Sequence, residues 1–540
     1  MQMIEIASVT PDTTGEEVAP VRVDSEALVN SRFASYLSDE SGLGPGRAEI
    51  AFFPSCEKQV VDFLKEMNAR RMPVTLSGGR TGIVGGAVPT GGALMALDKM
   101  NRILGIRWNE ESKEWHVTAQ PGITLKEFQD RIARKDLTSK SADLPRFLHD
   151  PHRYFYAPDP TEQSASLGGT VATDASGART YLFGRTRKHV RALRVVLATG
   201  DVLEIHRGQH RLESDGTFRV RSLDGNLTTV PVPSYESPQT KSAAGYYVEK
   251  NMDLIDLFIG SEGTLGVITE ITVVLTIAPD HIAMFLAFFP SEDDAVRFVL
   301  QIRSLKSQNP PLAVHSLEYF DSNSLALLRR MMGKGSLGAG VRLPDEGSAV
   351  GILCEFSYID LTKVIGFLQQ PIHDSHSTLE SAITATNERS MALLKDLRHA
   401  VPEAINKIVA QRRKGIEGMH KIGTDTSVPD EKLKPMVKFY SQILRTSNVE
   451  YYLFGHIAEN HLHVNILPNT QEELTQAERL VEELAREAVR LGGTVTAEHG
   501  IGKMKKSLLS VMFNQTAIDE MVATRRALDP NAILSPGNIF

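Results

Sequence analysis

Five glycines in nine positions, within Ser77-Gly-Gly-Arg-Thr-Gly-Ile-Val-Gly-Gly-Ala87, are the strongest constraint on what this chain folds into. Glycine loses more conformational freedom on ordering than any other residue, so such a run persists where backbone must approach something closely. It follows a short β-run, Val74–Leu76. Before that comes Ser55–Met72, whose Val60, Phe63, Leu64 and Met67 form the stripe of an amphipathic helix ending at Pro73. Free N–H groups in the loop make an anion nest suited to a pyrophosphate; the alternative is a bare glycine-rich loop. The spacing GGxxGxxGG is neither the GxGxxG of a dinucleotide turn nor a P-loop closing on GK[ST].

Two more small-residue stretches repeat the pattern. One runs through Pro158-Asp-Pro-Thr161, Ser166-Leu-Gly-Gly-Thr170 and Ala175-Ser-Gly177; the other is Phe258–Leu275, FIGSEGTLGVITEITVVL. Three glycine loops attached to strands over about 200 residues are suited to lining one extended ligand. Between them, Trp115–Ala119 reads as a strand, a helix starts at about Thr124, and Leu193–Ala198 reads as a buried strand turning at Gly200-Asp201. Arg207–Lys250 is charged and turn-rich and is expected to be a surface excursion.

Residues 1–45 are polar and weakly periodic, the pattern of an N-terminal arm or leader strand. From about Pro279 strands alternate with amphipathic helices. Ser291–Leu305 is helical, Gly333–Gly340 is a glycine-rich loop, and Val350–Phe356 is a strand. Pro402 interrupts the helical pattern of Asn387–Gln411 and is expected to kink it or start a new helix. Thr470-Gln-Glu-Glu473 is a capping box opening a helix that Gly492-Gly493 ends.

A different signal lies in Tyr451–Pro468, YYLFGHIAENHLHVNILP, which holds His456, His461, His463 and Asn465 in flanks that alternate like half-buried strands. His461, His463 and Asn465 share a face in a strand. His456 joins them only if the backbone turns between, for which Ala458-Glu459-Asn460 is the place. Glu498-His499-Gly500 follows the long helix. Two histidines with a distant carboxylate make a divalent-metal set, leaving another histidine to move protons; the alternative is strand residues satisfied by hydrogen bonds.

Composition narrows the class. A chain of 540 residues exceeds one core, with 41% hydrophobic and 23% charged residues, as in a soluble enzyme. A net charge of −7 gives no reason to expect nucleic acid. Cys56 and Cys354 alone cannot build a disulfide framework or an iron–sulfur ligand set. Met1–Ala19 lacks the basic start and apolar core of a signal peptide, and no run reaches membrane-spanning length. A cytoplasmic protein is expected, with peripheral attachment at the inner face of the membrane left open.

Together SGGRTGIVGGAVP, PDPTEQSASLGGTVATDASG, FIGSEGTLGVITE, GHIAENHLHVN, EHGIGKMKK and LDPNAILSPGNIF resemble the FAD-linked oxidases of the vanillyl-alcohol oxidase/p-cresol methylhydroxylase (PCMH) fold. Within that family the chain is most similar to the D-lactate, glycolate and D-2-hydroxyglutarate dehydrogenases. The resemblance implies an α+β fold: a two-part PCMH-type FAD-binding domain (46–280), an antiparallel-sheet α+β substrate or cap domain (281–490), and a C-terminal segment (491–540) returning to the flavin. It implies non-covalent FAD, since Arg80 stands nearest the position where relatives carry a tethering histidine.

Carried over by motif, Ser77, Gly78, Gly79, Arg80, Thr81 and Gly82 would hold the pyrophosphate. Asp159, Thr161, Ser166, Gly169, Ala175, Ser176 and Gly177 would contact the flavin side, with Glu262, Gly266 and Ile268 as a third segment. His456, His463 and Glu498 would bind a divalent metal, zinc or manganese. His499 would be the catalytic base, and Arg398, Lys421 and Asn465 the substrate contacts. Relatives read GHxGDGNxHxN, whereas Ala458, Glu459, Asn460 and His461 stand here in place of G, D, G and N, so His461 is a rival ligand.

The implied reaction is oxidation of a D-2-hydroxyacid to the 2-oxoacid by hydride transfer to flavin, with a metal-assisted histidine base. Implied partners are the small 2-hydroxyacid and an external electron acceptor: a quinone, a cytochrome, an electron-transfer flavoprotein or an iron–sulfur subunit. A homodimer stays open. The rivals are a zinc-dependent hydrolase, which leaves the glycine loops unexplained, and an inactive subunit of a flavoprotein complex.

Overall fold

The computed structural model describes residues 19–137, 141–305, 310–333, 343–344 and 350–540. Two sheets occupy the N-terminal half. One joins Val21–Val23, Ile50–Phe53, Ala93–Ala96 and Val74–Ser77 in that order, the last three parallel and the first pair antiparallel. Helix Glu57–Ala69 covers this sheet with Val60, Phe63, Leu64 and Met67, the stripe visible in the sequence. Val21–Val23 turns part of the expected arm into an edge strand, while residues 1–18 lie outside those described.

The second sheet is antiparallel throughout and runs Ile103–Asn109, Glu114–Ala119, Val267–Val274, Val190–Val196, Val202–His206. The strand expected at Leu193–Ala198 is thus shifted to Val190–Val196. Thr124 caps helix Leu125–Arg134 by accepting from Glu127 N at 3.2 Å.

A seven-stranded antiparallel sheet fills the C-terminal half in the order Ile383–Ala385, Ile282–Phe289, Val350–Tyr358, Leu312–Phe320, Tyr451–His456, His461–Ile466, Ile422–Gly423. Its helices include Glu292–Leu305 and Glu388–Arg412. The latter carries Pro402 inside a single helix of 25 residues, so the proline neither ends it nor starts another. Its ring removes one N–H donor, and the tertiary packing of Ala400, Val401, Ala404 and Ile405 outweighs that local loss. Of the expected loop Gly333–Gly340, Gly333 ends the helix Ser322–Gly333 and residues 334–340 lie outside those described.

Arg207–Lys250 departs from the expected surface excursion. It forms the hairpin Thr217–Arg221/Leu227–Pro231 and buries Phe218, Val220, Val230 and Tyr246. Its charge alternates along strands that are exposed on one side only, so composition overstates its exposure.

The C-terminal residues tie the halves together. Val495, Ile501, Leu509 and Met521 enter the core of the five-stranded sheet. Leu534 bridges to Val74, and Ile539 N donates to Gly502 O at 3.0 Å. No helix among the described residues is long and apolar enough to cross a membrane.

Candidate active site

Strands Tyr451–His456 and His461–Ile466 form one hairpin, with His456 directly opposite His461 and Phe454 opposite His463. The turn is a single 3-10 turn, Ile457–Glu459, closed by Asn460 at φ 56°, a conformation asparagine tolerates better than most residues. Arg303 clamps it by donating to the carbonyls of Ile457 and Ala458 and to Asn460 Oδ1, at 2.6–2.7 Å. The replacements Ala458 and Asn460 therefore still allow the turn.

Glu498 and His499 sit on the loop that Gly500 (φ 78°) and Gly502 (φ 52°) bend. Glu498 Oε1 lies 3.7 Å from His456 Nε2, 3.5 Å from His463 Nε2 and 3.5 Å from His499 Nε2. None of these is a hydrogen bond. Four donor atoms from His456, His461, His463 and Glu498 lie within 4.8 Å of one another around this point. A carboxylate oxygen ringed by imidazole nitrogens beyond hydrogen-bonding distance fits a divalent cation between them.

Three residues outside the motif list hold this centre. Glu318, on the strand Leu312–Phe320, accepts from His456 Nδ1 at 2.6 Å and from Arg398 Nε at 2.9 Å. Burial raises its pKa, but Arg398 and His456 outweigh that and hold its carboxyl at about 2. Asp425 accepts from His461 Nε2 at 2.9 Å, His499 Nδ1 at 3.1 Å, His499 N at 3.0 Å and Lys505 Nζ at 2.9 Å. Burial opposes its ionisation, yet His499 and Lys505 keep it far below the usual carboxylate range. Lys241, only 2% exposed at its side chain, donates to Glu498 Oε2 at 2.8 Å and lies 3.5 Å from Glu459.

Ionisation follows this geometry. Burial disfavours the charged form of His456, but Glu318 and Glu498 outweigh it and raise its pKa to about 9. Burial lowers His461 to about 4 and takes His463 well below the usual range. Glu498 is held far down despite burial, chiefly by Lys241.

All these groups except the fully buried His461, Asp425 and Lys241 line one cavity of about 1210 Å³. His456, His463, Asn465, Glu498, His499, Arg398 and Lys421 meet there, and it also reaches Thr81, Ile83, Val84 and Thr161. Asn465 is buried beside Gly423, its partner in register. Lys421 is exposed to this cavity and has no ion-pair partner among the described residues. Arg398, which lines the cavity, spends Nε on Glu318 at 2.9 Å and meets His399 Nε2 with Nη1 at 3.4 Å.

The glycine loop fits a dinucleotide. A Cβ on Gly79 would stand 2.8 Å from Ser164 O, so the loop presses on the second small-residue stretch. Gly79 N donates to Ser166 Oγ at 3.2 Å, and Ser166 also caps Leu167–Ala172 through Gly169 N. Among the described residues, the N–H groups of Arg80, Thr81, Gly82, Ile83 and Val84 meet no acceptor, and the buried Ser77 Oγ has no partner. Arg80 (φ 59°) donates from Nη1 to Gly78 O and covers the Tyr36 ring at 4.1 Å. This is the donor-rich surface that a diphosphate requires.

The remaining positions divide. Asp159, its pKa raised to about 6 by burial against Arg179, accepts from Arg179 N, and its carbonyl meets Gly177 so closely that no side chain fits there. Ser176 donates to Glu498 Oε2 at 3.3 Å, beside Ala175. Gly266 and Ile268 are packing positions against Val195 and the sheet core. Glu262 has a structural role that the motif did not reveal. Its carboxylate accepts from Ile501 N and Gly502 N, both at 2.7 Å, and so fastens the His499 loop.

Sequence reasoning missed Glu318, Asp425 and Lys241 because each reaches the centre through a distant partner. A charged residue at an apolar strand position, Glu318 in LAVHSLEYF, was the available signal.

Residues 48–206 match the FAD binding domain family, and residues 278–539 match the FAD linked oxidases, C-terminal domain. A D-lactate dehydrogenase of Anaerostipes hadrus is 28% identical, over 100% of this chain and 99% of its own. The glycolate oxidase subunit GlcD of Bacillus subtilis (strain 168) is 27% identical, over 90% of this chain and 88% of its own. Among solved structures, p-cresol methylhydroxylase with substrate bound superposes with a TM-score of 0.62 at 16% identity, covering 96% of this chain and 93% of that one, a likeness of fold. Fold and matched domains define an FAD-dependent oxidoreductase of the PCMH type. The chain belongs to the FAD-linked oxidase family, and a D-lactate dehydrogenase and a glycolate oxidase subunit are among the relatives it resembles. This membership sets aside the zinc-hydrolase reading.

Proposed function

We propose that the protein oxidises a D-2-hydroxyacid, of the D-lactate, glycolate or D-2-hydroxyglutarate class, to the 2-oxoacid and passes the electrons to an external acceptor. The observation that carries this is one cavity shared by two unlike sets of groups. Cations for a carboxylate (Arg398, Lys421) and a base beside a metal-type cluster (His499, His456, His463, Glu498) face the same space as Thr81 and Thr161 of the glycine loops.

The Arg398 guanidinium would bind the substrate carboxylate, with Nη1 exchanging its 3.4 Å contact with His399, Lys421 assisting and Asn465 beside it. His456, His463 and Glu498 would hold a divalent cation, zinc or manganese. Asp425 accepts a hydrogen bond from His499 Nδ1–H, which leaves the lone pair on Nε2 to accept the substrate hydroxyl proton. When bound, FAD supplies the two-electron acceptor and the cation supplies Lewis acidity toward the hydroxyl. The second electron partner is a quinone, a cytochrome, an electron-transfer flavoprotein or an iron–sulfur subunit. A site in the cytoplasm or at the inner face of the membrane, and a homodimer, accord with this reading.

The test is anaerobic bleaching of the yellow protein by a panel of D- and L-2-hydroxyacids. Bleaching by a D-2-hydroxyacid supports the reading, and none with any member sinks it. His499→Ala should keep flavin and metal but bleach about 10²–10⁴ times more slowly, whereas His463→Ala should keep flavin and lose metal. Full-rate turnover by chelated enzyme would remove the cation from the mechanism.

A further inference from the structure

His461 is fully buried, at 0% exposure, on the strand that carries His463 and directly across the hairpin from His456. Its Nε2 donates to Asp425 Oδ1 at 2.9 Å, which fixes the tautomer and leaves the lone pair on Nδ1. That Nδ1 has no hydrogen-bond partner and points toward Glu498, 3.9 Å from Oε2. Its ring centroid lies 4.3 Å from that of His463 and 5.4 Å from that of His456. Lys241 Nζ, which shares Glu498 with it, is committed to Glu498 Oε2 at 2.8 Å with Glu459 beside it. A buried imidazole nitrogen turned inward by a carboxylate on its far side is the arrangement of a metal-ligating histidine.

We propose that His461 is a ligand of the cation at this centre, through Nδ1. The centre is then a three-imidazole, one-carboxylate set, where the motif of relatives has asparagine at this position and supplies two imidazoles. Resting on the cation reading above, this fixes the class of ion. Imidazole-rich sets suit zinc and cobalt, whereas manganese and magnesium prefer oxygen donors. His461 therefore biases the site toward zinc.

The experiment strips the flavin-loaded protein with a chelator and titrates zinc and manganese against a competing chelator. Wild type should take one zinc per chain in preference to manganese. His461→Asn should keep its flavin, lose zinc affinity by about tenfold or more, and lose less for manganese. X-ray absorption of the zinc-loaded wild type should count three imidazoles, which decides the matter should His461→Asn lose its flavin through misfolding. A count of two, or zinc affinity in His461→Asn equal to wild type while His463→Ala loses zinc, overturns His461 alone. If wild type itself takes no zinc or manganese, the cation reading falls and this ligand with it.

Discussion

Lys241 donates to Glu498 Oε2 at 2.8 Å across 257 positions of sequence, and its ammonium is buried with that carboxylate. The contact aims Glu498 Oε1 at the imidazoles by occupying the other oxygen. It also joins a segment after the Thr217–Pro231 hairpin to the loop that carries His499.

Removing the ammonium should be costly. Lys241→Met would leave Glu498 and Glu459 buried without their cation, and breaking a buried pair this way costs about 3–5 kcal/mol. Urea unfolding of the flavin-loaded protein measures it. A loss below about 1 kcal/mol, the range of an exposed pair, would contradict the burial described here.

Arg398→Lys should raise the Michaelis constant for the preferred 2-hydroxyacid by about tenfold or more. Charge-assisted bonds to a carboxylate are worth roughly 1.5–3 kcal/mol each. An ammonium cannot both hold Glu318, as Arg398 Nε does, and present two parallel donors to substrate. Steady-state kinetics indistinguishable from wild type would place the carboxylate elsewhere.

Glu262 gives the stability a pH dependence. Burial pushes its carboxyl from 4.5 up to about 7, against the opposing bonds from Ile501 N and Gly502 N. A raised folded-state pKa means that the folded chain keeps a proton the unfolded chain releases. The contribution is intact below about pH 4.5 and is lost as pH rises to about 7, by up to about 3 kcal/mol. Denaturant melts of wild type and Glu262→Gln at pH 5 and pH 8 isolate it. Wild type should lose ground to the variant as pH rises, and a pH-independent difference would refute the shift.

All flavin should leave the protein on acid precipitation. Residues 73–89 contain no histidine or cysteine, and Arg80 is occupied with Gly78 O and the Tyr36 ring. Yellow colour retained on the washed precipitate would show a covalent bond.

What the sequence made legible was local. The Val60–Met67 stripe, the helix start at Thr124, the Thr470 cap and the turn at 458–460 each depend on neighbours within a few positions and stand in the structure, although Glu473 accepts from Asn469 N and so does not close the expected capping box. The His456–His463 pairing was readable because one turn decides it. Glu318 to His456 spans 138 positions and Asp425 to His499 spans 74, and no periodicity encodes such contacts. Pro402 starts no new helix because intrinsic propensity is a weak prior where a helix is packed along its length. The bonds of Glu262 to Ile501 N and Gly502 N were hidden because a motif conveys that a residue belongs to a site, while only coordinates tell which way its side chain turns.

The contacts of residues 533–540 set an order of events during synthesis. Val74 N bonds to Ile533 O, and Asn538 Nδ2 reaches Gly86 O and Glu262 O. The strand feeding the first glycine loop is therefore completed by chain that follows it by more than 450 positions. Translation at about 5–20 residues per second takes roughly 20–90 seconds to cover that distance. Throughout that interval Val74 N and Gly86 O lack the partners that residues 533–540 give them in the folded chain.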